Sequence, residues 1–210
     1  MIGYYNKSVW VTYVGLICAA MGMAAAMSGL FRGAMVFLMV CGLCDMIDGP
    51  IARKCLRRSD DEKSFGIQID SLCDVVCFGV LPAVICMGLN QMHPIAMAAA
   101  AFYMLAGVIR LGFFNVQEIN RARTDPGRRK SYDGLPITSG ALLLPLAGAV
   151  EALVGGFTHM AYPVVLAVTG VMFIAPVHIP KLHLPGMIAC GLIGLGVLIV
   201  MIVMGGILNG

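Results

Sequence analysis

The sequence predicts an all-α fold, a polytopic bundle of transmembrane helices, and three observations lead there. Hydrophobic residues make up 60% of the 210 and charged residues only 12%, against roughly 45–50% and 25% in soluble domains. Mean hydropathy is +0.91, and apolar runs of about 20 residues, the length that crosses a bilayer, recur along the chain. The charges gather between those runs instead of alternating with apolar residues. A soluble domain of this size could not cover so much apolar surface.

The first candidate helix, about 9–30, holds VWVTYVGLICAAMGMAAAMSGL. Its apolar run is longer than a secretory h-region and its flank is nearly uncharged, so a retained transmembrane helix is expected. The second, about 33–54, is apolar until CDMIDGPIARK, where Asp45, Asp48 and Arg53 interrupt it. The third, about 65–89, bears Asp70 and Asp74, and the fourth, about 94–118, ends in RLGFFN. Candidates at about 136–155, 160–178 and 185–208 complete seven spans in a single integral membrane domain. Neither an internal repeat nor a separate soluble domain is visible.

Charge distribution sets the expected orientation. Arg53, Lys54, Arg57, Arg58 and Lys63 lie in one connection, and Arg121, Arg123, Arg128, Arg129 and Lys130 in another. Lys7 precedes the first helix and Lys181 the last, whereas the alternate connections contain only Arg32. The positive-inside rule then predicts a cytoplasmic N-terminus and, with seven spans, an external C-terminus. The basic loops read as topology signals resting on anionic headgroups. They lack interleaved aromatics, so nucleic acid is not an expected partner. Most of the eight cysteines sit inside apolar runs and read as small buried hydrophobes. Cys41 and Cys44 form a C-x-x-C, but no second pair or nearby His completes a zinc site.

Four acids fall within predicted spans. An intramembrane Asp costs about 2.5–3.5 kcal/mol, so four without compensation total on the order of 10 kcal/mol or more. Asp45 and Asp48 are i, i+3 and Asp70 and Asp74 are i, i+4, so each pair shares a helix face. The expected topology puts both pairs in the cytoplasmic halves of adjacent antiparallel helices. Carboxylates facing one another at one depth repel unless cations lie between them. Two divalent ions would neutralise four charges, and oxygen ligands suit Mg²⁺ or Mn²⁺. Such a pair serves in-line displacement at phosphorus. Gly49 and Ala52 leave room for a ligand near the backbone, Pro50 frees a helical carbonyl, and Arg53 suits bidentate phosphate contact.

Asp45-x-x-Asp48-Gly49-x-x-Ala52-Arg53, followed by Gly66-x-x-x-Asp70-x-x-x-Asp74, resembles the signature of the CDP-alcohol phosphotransferase family. Twelve residues lie between Arg53 and Gly66, more than the family pattern has, and the excess is expected as a surface loop in RRSDDEKS. IDSLCDVVCFGVLPA, RLGFFN and YDGLPITSGA are similar to segments of one branch, the membrane-embedded phosphatidylserine synthases. In RLGFFN, Gly112 and Phe113 replace an Ala and an Arg, and in the first helix Thr12 fits while Val9 replaces an Asn.

The resemblance implies a six-helix core, here about 9–178, with the span at about 185–208 as an addition, and a homodimer. It implies two divalent cations on Asp45, Asp48, Asp70 and Asp74. It implies CDP contacts from Thr12, Asp48, Gly49, Ala52, Arg53, Gly66 and Asp70, with Asp74 activating the acceptor hydroxyl. The expected reaction is transfer of a phosphatidyl group from CDP-diacylglycerol to L-serine, with release of CMP, at a cytoplasm-facing site in the bilayer. Arg110, Asn115, Tyr132 and Ser139 are the candidate acceptor pocket. Glycerol phosphate, inositol phosphate or inositol are the alternative acceptors. A cation transporter is a different reading of intramembrane acids; the almost wholly apolar outward halves, such as AMAAAAFYML, speak against a conduit.

Overall fold

The computed structural model describes residues 9–54, 59–124, 131–154, 161–176, 178–180, 191–200 and 203. Its helices are α1 (Trp10–Met27), α2 (Phe31–Lys54), α3 (Asp60–Asp74), α4 (Leu81–Leu89), α5 (Pro94–Thr124), α6 (Gly140–Val154) and α7 (Ala161–Ile174). A further apolar helix, α8, covers Gly191–Val200. All seven sequence-predicted helices are present at least in part. Trp10–Met27, Ser64–Leu89 and Pro94–Gln117 are each long and apolar enough to cross a membrane. At 24 residues α2 spans about 36 Å, but Arg32, Asp45, Asp48, Arg53 and Lys54 make it far more polar than those three.

The chain's small residues decide how α1 and α2 meet. Thr12, Gly15, Ala19, Gly22 and Ala26 form the buried face of α1, spaced alternately three and four apart. Small residues let helix backbones approach closely, which packs apolar helices where lipid offers no hydrophobic advantage. A Cβ at Gly22 would lie 3.0 Å from Phe37 Cβ, and one at Gly15 would lie 3.4 Å from Cys44 Cβ. Cys41 also donates its thiol to the Gly15 carbonyl at 3.3 Å. These contacts fix an antiparallel register in which the start of α1 lies beside the end of α2.

The third predicted helix begins earlier than expected. Ser59 caps α3 by accepting from the Glu62 N–H, and Glu62 answers by accepting from the Ser59 N–H. This reciprocal capping box starts a helix at Asp60. Part of the expected loop, Asp60–Ser64, is therefore an extra turn of α3. Helix α3 continues through a π-helical turn, Val75–Val80, into α4 without a break. Helix α5 runs to Thr124, six residues past its predicted end.

Helix α5 packs on α7, α2 on α6, and α4 against both α1 and α5. Leu38, Phe78, Leu81, Ile85, Tyr103, Leu144, Leu166 and Phe173 are fully buried where these helices converge. An unforeseen antiparallel pair, Ser131–Asp133 with His178–Pro180, ties the segment before α6 to the segment after α7. Gly134 follows the first strand at φ +81°, and a Cβ there would lie 2.8 Å from the Phe173 carbonyl. Both constraints demand glycine.

Gly42 gives the tightest α2–α6 approach, since a Cβ there would sit 2.9 Å from Ala141 Cβ. Gly42→Ala is expected to destabilise the detergent-solubilised protein by about 1–3 kcal/mol, measured by thermal unfolding. Adding Ala141→Gly should recover most of that loss.

Candidate functional site

The acids of α2 and α3 meet. One ligand oxygen each from Asp45, Asp70 and Asp74 lies within 4.8 Å of the other two, and all three side chains are half-buried. The i, i+4 spacing aims Asp70 and Asp74 from one face of α3, while Asp45 comes from the facing turn of α2. Asp48 lies one turn further along α2, at i+3 from Asp45 and so on the same face. Carboxylates gathered as those of Asp45, Asp70 and Asp74 are call for a proton or a cation among them. Thr12 completes this side, its hydroxyl pointing at Asp48 Oδ2 over a long 3.4 Å. The small-residue seam of α1 ends at Thr12, so the packing that joins α1 to α2 also sets this contact.

The donor set fits a hard divalent cation. It offers oxygen from three clustered carboxylates on two helices, with Asp48 one turn along α2, and oxygen is the ligand type that Mg²⁺ and Mn²⁺ take. Gly49 and Gly66 are partly exposed on the same two helices. Ala52 and Arg53 belong to the last turns of α2, and their side chains lie outside the described residues.

The four candidate acceptor residues fall in different surroundings. Asn115 on α5 pairs with Ser71 on α3: Ser71 Oγ lies 3.0 Å from Asn115 Oδ1 and 2.9 Å from Nδ2. Since α5 continues for more than two turns beyond it, Asn115 does not cap that helix. Arg110 is 5% exposed. Its Nε donates to the Leu135 carbonyl at 3.2 Å and its Nη2 to the Gly134 carbonyl at 3.5 Å, with its guanidinium 5.5 Å from the Phe114 ring centre. Ser139 donates to the Pro136 carbonyl at 2.7 Å, closing its own turn. Tyr132 lies in the first strand, with its side chain outside the described residues.

Ser71 was not singled out from the sequence. Its signal was there: a hydroxyl directly after Asp70 in an otherwise apolar run, one turn before Asp74.

The match to known proteins covers both the site and its scaffold. The family model described as CDP-alcohol phosphatidyltransferase matches residues 6–175. The chain belongs to the CDP-alcohol phosphatidyltransferase family. Within this family it resembles proteins named CDP-diacylglycerol–serine O-phosphatidyltransferase. That of Helicobacter pylori is 30% identical over 167 residues, 74% of this chain and 66% of the relative. That of Methanocaldococcus jannaschii is 29% identical over 169 residues, 80% and 72%. The Saccharomyces cerevisiae protein is 35% identical over 118 residues, 55% and 41%. The chain thus spans just under two thirds of the Helicobacter pylori relative's length. Family membership and the three long apolar helices together make it an integral membrane protein.

Removing one charge separates repulsion from ion binding. Without metal, Asp70→Asn is expected to raise the melting temperature, because it relieves like-charge contact. Saturating Mn²⁺, at about a hundredfold its Kd, should stabilise the unaltered protein by about 2.7 kcal/mol and the variant much less. Melting curves with Mn²⁺ and with a chelator measure both effects.

Proposed function

We propose that the chain transfers the phosphatidyl group of CDP-diacylglycerol to the hydroxyl of L-serine, releasing CMP. The observation that carries this reading is the carboxylate cluster of Asp45, Asp70 and Asp74, with Asp48 beside it, inside the region matched by the family. The serine acceptor is supported by the names of the relatives from Helicobacter pylori, Methanocaldococcus jannaschii and Saccharomyces cerevisiae. A cytoplasmic opening is supported by the basic residues that flank the acid-bearing ends of α2 and α3. The implied homodimer belongs to the same proposal and is read from the protein's mass in detergent.

Asp45, Asp48, Asp70 and Asp74 would hold two divalent cations, Mg²⁺ or Mn²⁺, whose chemistry when bound is to polarise the donor's diphosphate. Thr12, Gly49, Ala52, Arg53 and Gly66 receive the CDP end, where small residues admit the ligand and Arg53 offsets phosphate charge. Asp74 accepts the serine proton as the serine oxygen–phosphorus bond forms. The phosphorus–oxygen bond to CMP then breaks, and CMP leaves with the bonding pair. Asn115, Tyr132 and Ser139 border the acceptor, and Arg110 shapes its pocket by holding the Gly134 and Leu135 carbonyls. The lipid tails stay in the bilayer throughout.

Purified protein given CDP-diacylglycerol and Mn²⁺ should release CMP with serine, and not with glycerol phosphate, inositol phosphate or inositol. A chelator should stop the reaction. Asp74→Asn should lower turnover by about 10²–10⁴-fold while leaving the protein folded. Release of CMP only with a non-serine acceptor would remove the acceptor assignment, and near-normal turnover in the variant would remove Asp74 as the base.

A further inference from the structure

The π-helical turn Val75–Val80 starts at the residue after Asp74. A π turn adds one residue to the helical repeat, so it rotates everything beyond it by roughly 100° relative to what precedes it. The phase of this turn therefore decides whether Asp70 and Asp74 can face α2 while Cys77, Phe78 and Gly79 face the core, where all three are buried. Such departures have a local cause, and Pro82 supplies it. In a regular α-helix the Phe78 carbonyl accepts from the N–H of residue 82, and proline has none. The Leu81 N–H bonds instead to the Val76 carbonyl, five residues back.

The Phe78 carbonyl has a different donor. The hydroxyl of Tyr103, on α5, reaches it at 2.8 Å. Tyr103 is 1% exposed, and its ring packs on Phe173 with centres 5.2 Å apart. Gly140, at the start of α6, leaves the hydroxyl its space. A Cβ at Gly140 would collide with that oxygen and lie 3.7 Å from the Phe78 carbonyl. Three helices thus hold the hydroxyl at one point.

We propose that Tyr103 is a positioning residue for Asp74, fixing the π-helical turn by hydrogen bonding the carbonyl that Pro82 leaves without its helical donor. Without the hydroxyl, a buried carbonyl loses its tyrosine donor in apolar surroundings and the turn is no longer held in one geometry. Asp74, the last residue before the turn, is the first to feel that loosening. The proposal rests on the reading that Asp45, Asp70 and Asp74 bind divalent ions.

Tyr103→Phe removes only the hydroxyl. Mn²⁺ affinity of the detergent-solubilised protein, by calorimetry, is expected to fall about tenfold, as it does when an outer-shell partner of a metal ligand is lost. CMP release should lose kcat with little change in KM for the donor. Pro82→Ala returns the helical N–H, so in that background Tyr103→Phe should cost little. Unchanged affinity in Tyr103→Phe would overturn the proposal. So would an equal loss with and without Pro82→Ala, because the two changes would then be independent. Should Tyr103→Phe fail to fold, the double variant is compared with Pro82→Ala alone, and a large loss there overturns the proposal.

Hydrogen exchange of the amides at 75–81 gives a metal-free readout. It should quicken in Tyr103→Phe, and unchanged exchange overturns the proposal. If the unaltered protein binds no Mn²⁺, the ion-binding reading fails, and hydrogen exchange alone decides the role of Tyr103.

Discussion

Carboxylates from α2 and α3 stand within 4.8 Å of one another in a bundle whose buried surface is otherwise almost entirely apolar. Two unit charges at about 4 Å repel by roughly 4 kcal/mol at the effective dielectric of a protein surface, and by more where water is excluded. Packing must therefore hold the two helix faces together against that repulsion when no cation is present. Bound ions would convert the same closeness into attraction. The surrounding architecture makes sense as a means of keeping the faces opposed.

Three devices do so, one along α1 and two through α5. The Thr12–Gly15–Ala19–Gly22–Ala26 seam draws α1 onto α2 and brings Thr12 to Asp48. Ser71 and Asn115 join α3 to α5 one residue from Asp70. Tyr103 ties α5 to the turn that follows Asp74. Each is a polar or close-packed contact in an apolar setting. Contacts of this kind supply specificity where burial of apolar surface cannot, because lipid tails are as apolar as the core.

The sequence made the helices and the acid cluster legible because both follow from short-range pattern. Hydropathy reported the apolar runs, and the i, i+3 and i, i+4 spacing of the aspartates put each pair on one face. The start of α3 was misplaced because RRSDDEKS is charged enough to read as loop. Its Ser59–Glu62 capping box, plain in hindsight, outweighs that composition. Long-range partners were not legible. Nothing local to Arg110 says that its guanidinium serves the carbonyls of Gly134 and Leu135. Nothing local to Asn115 says that it meets a serine 44 positions earlier. The strand pair escaped notice for the same reason, since three-residue ladders leave almost no periodic signal.

The measurement that bears most directly on this account is electron paramagnetic resonance of the purified protein titrated with Mn²⁺. Four aspartates on two facing helices predict two ions bound per chain, close enough to give an exchange-coupled spectrum, and loss of that coupling in Asp45→Asn. A single uncoupled ion, no binding, or an unchanged spectrum in the variant would contradict it.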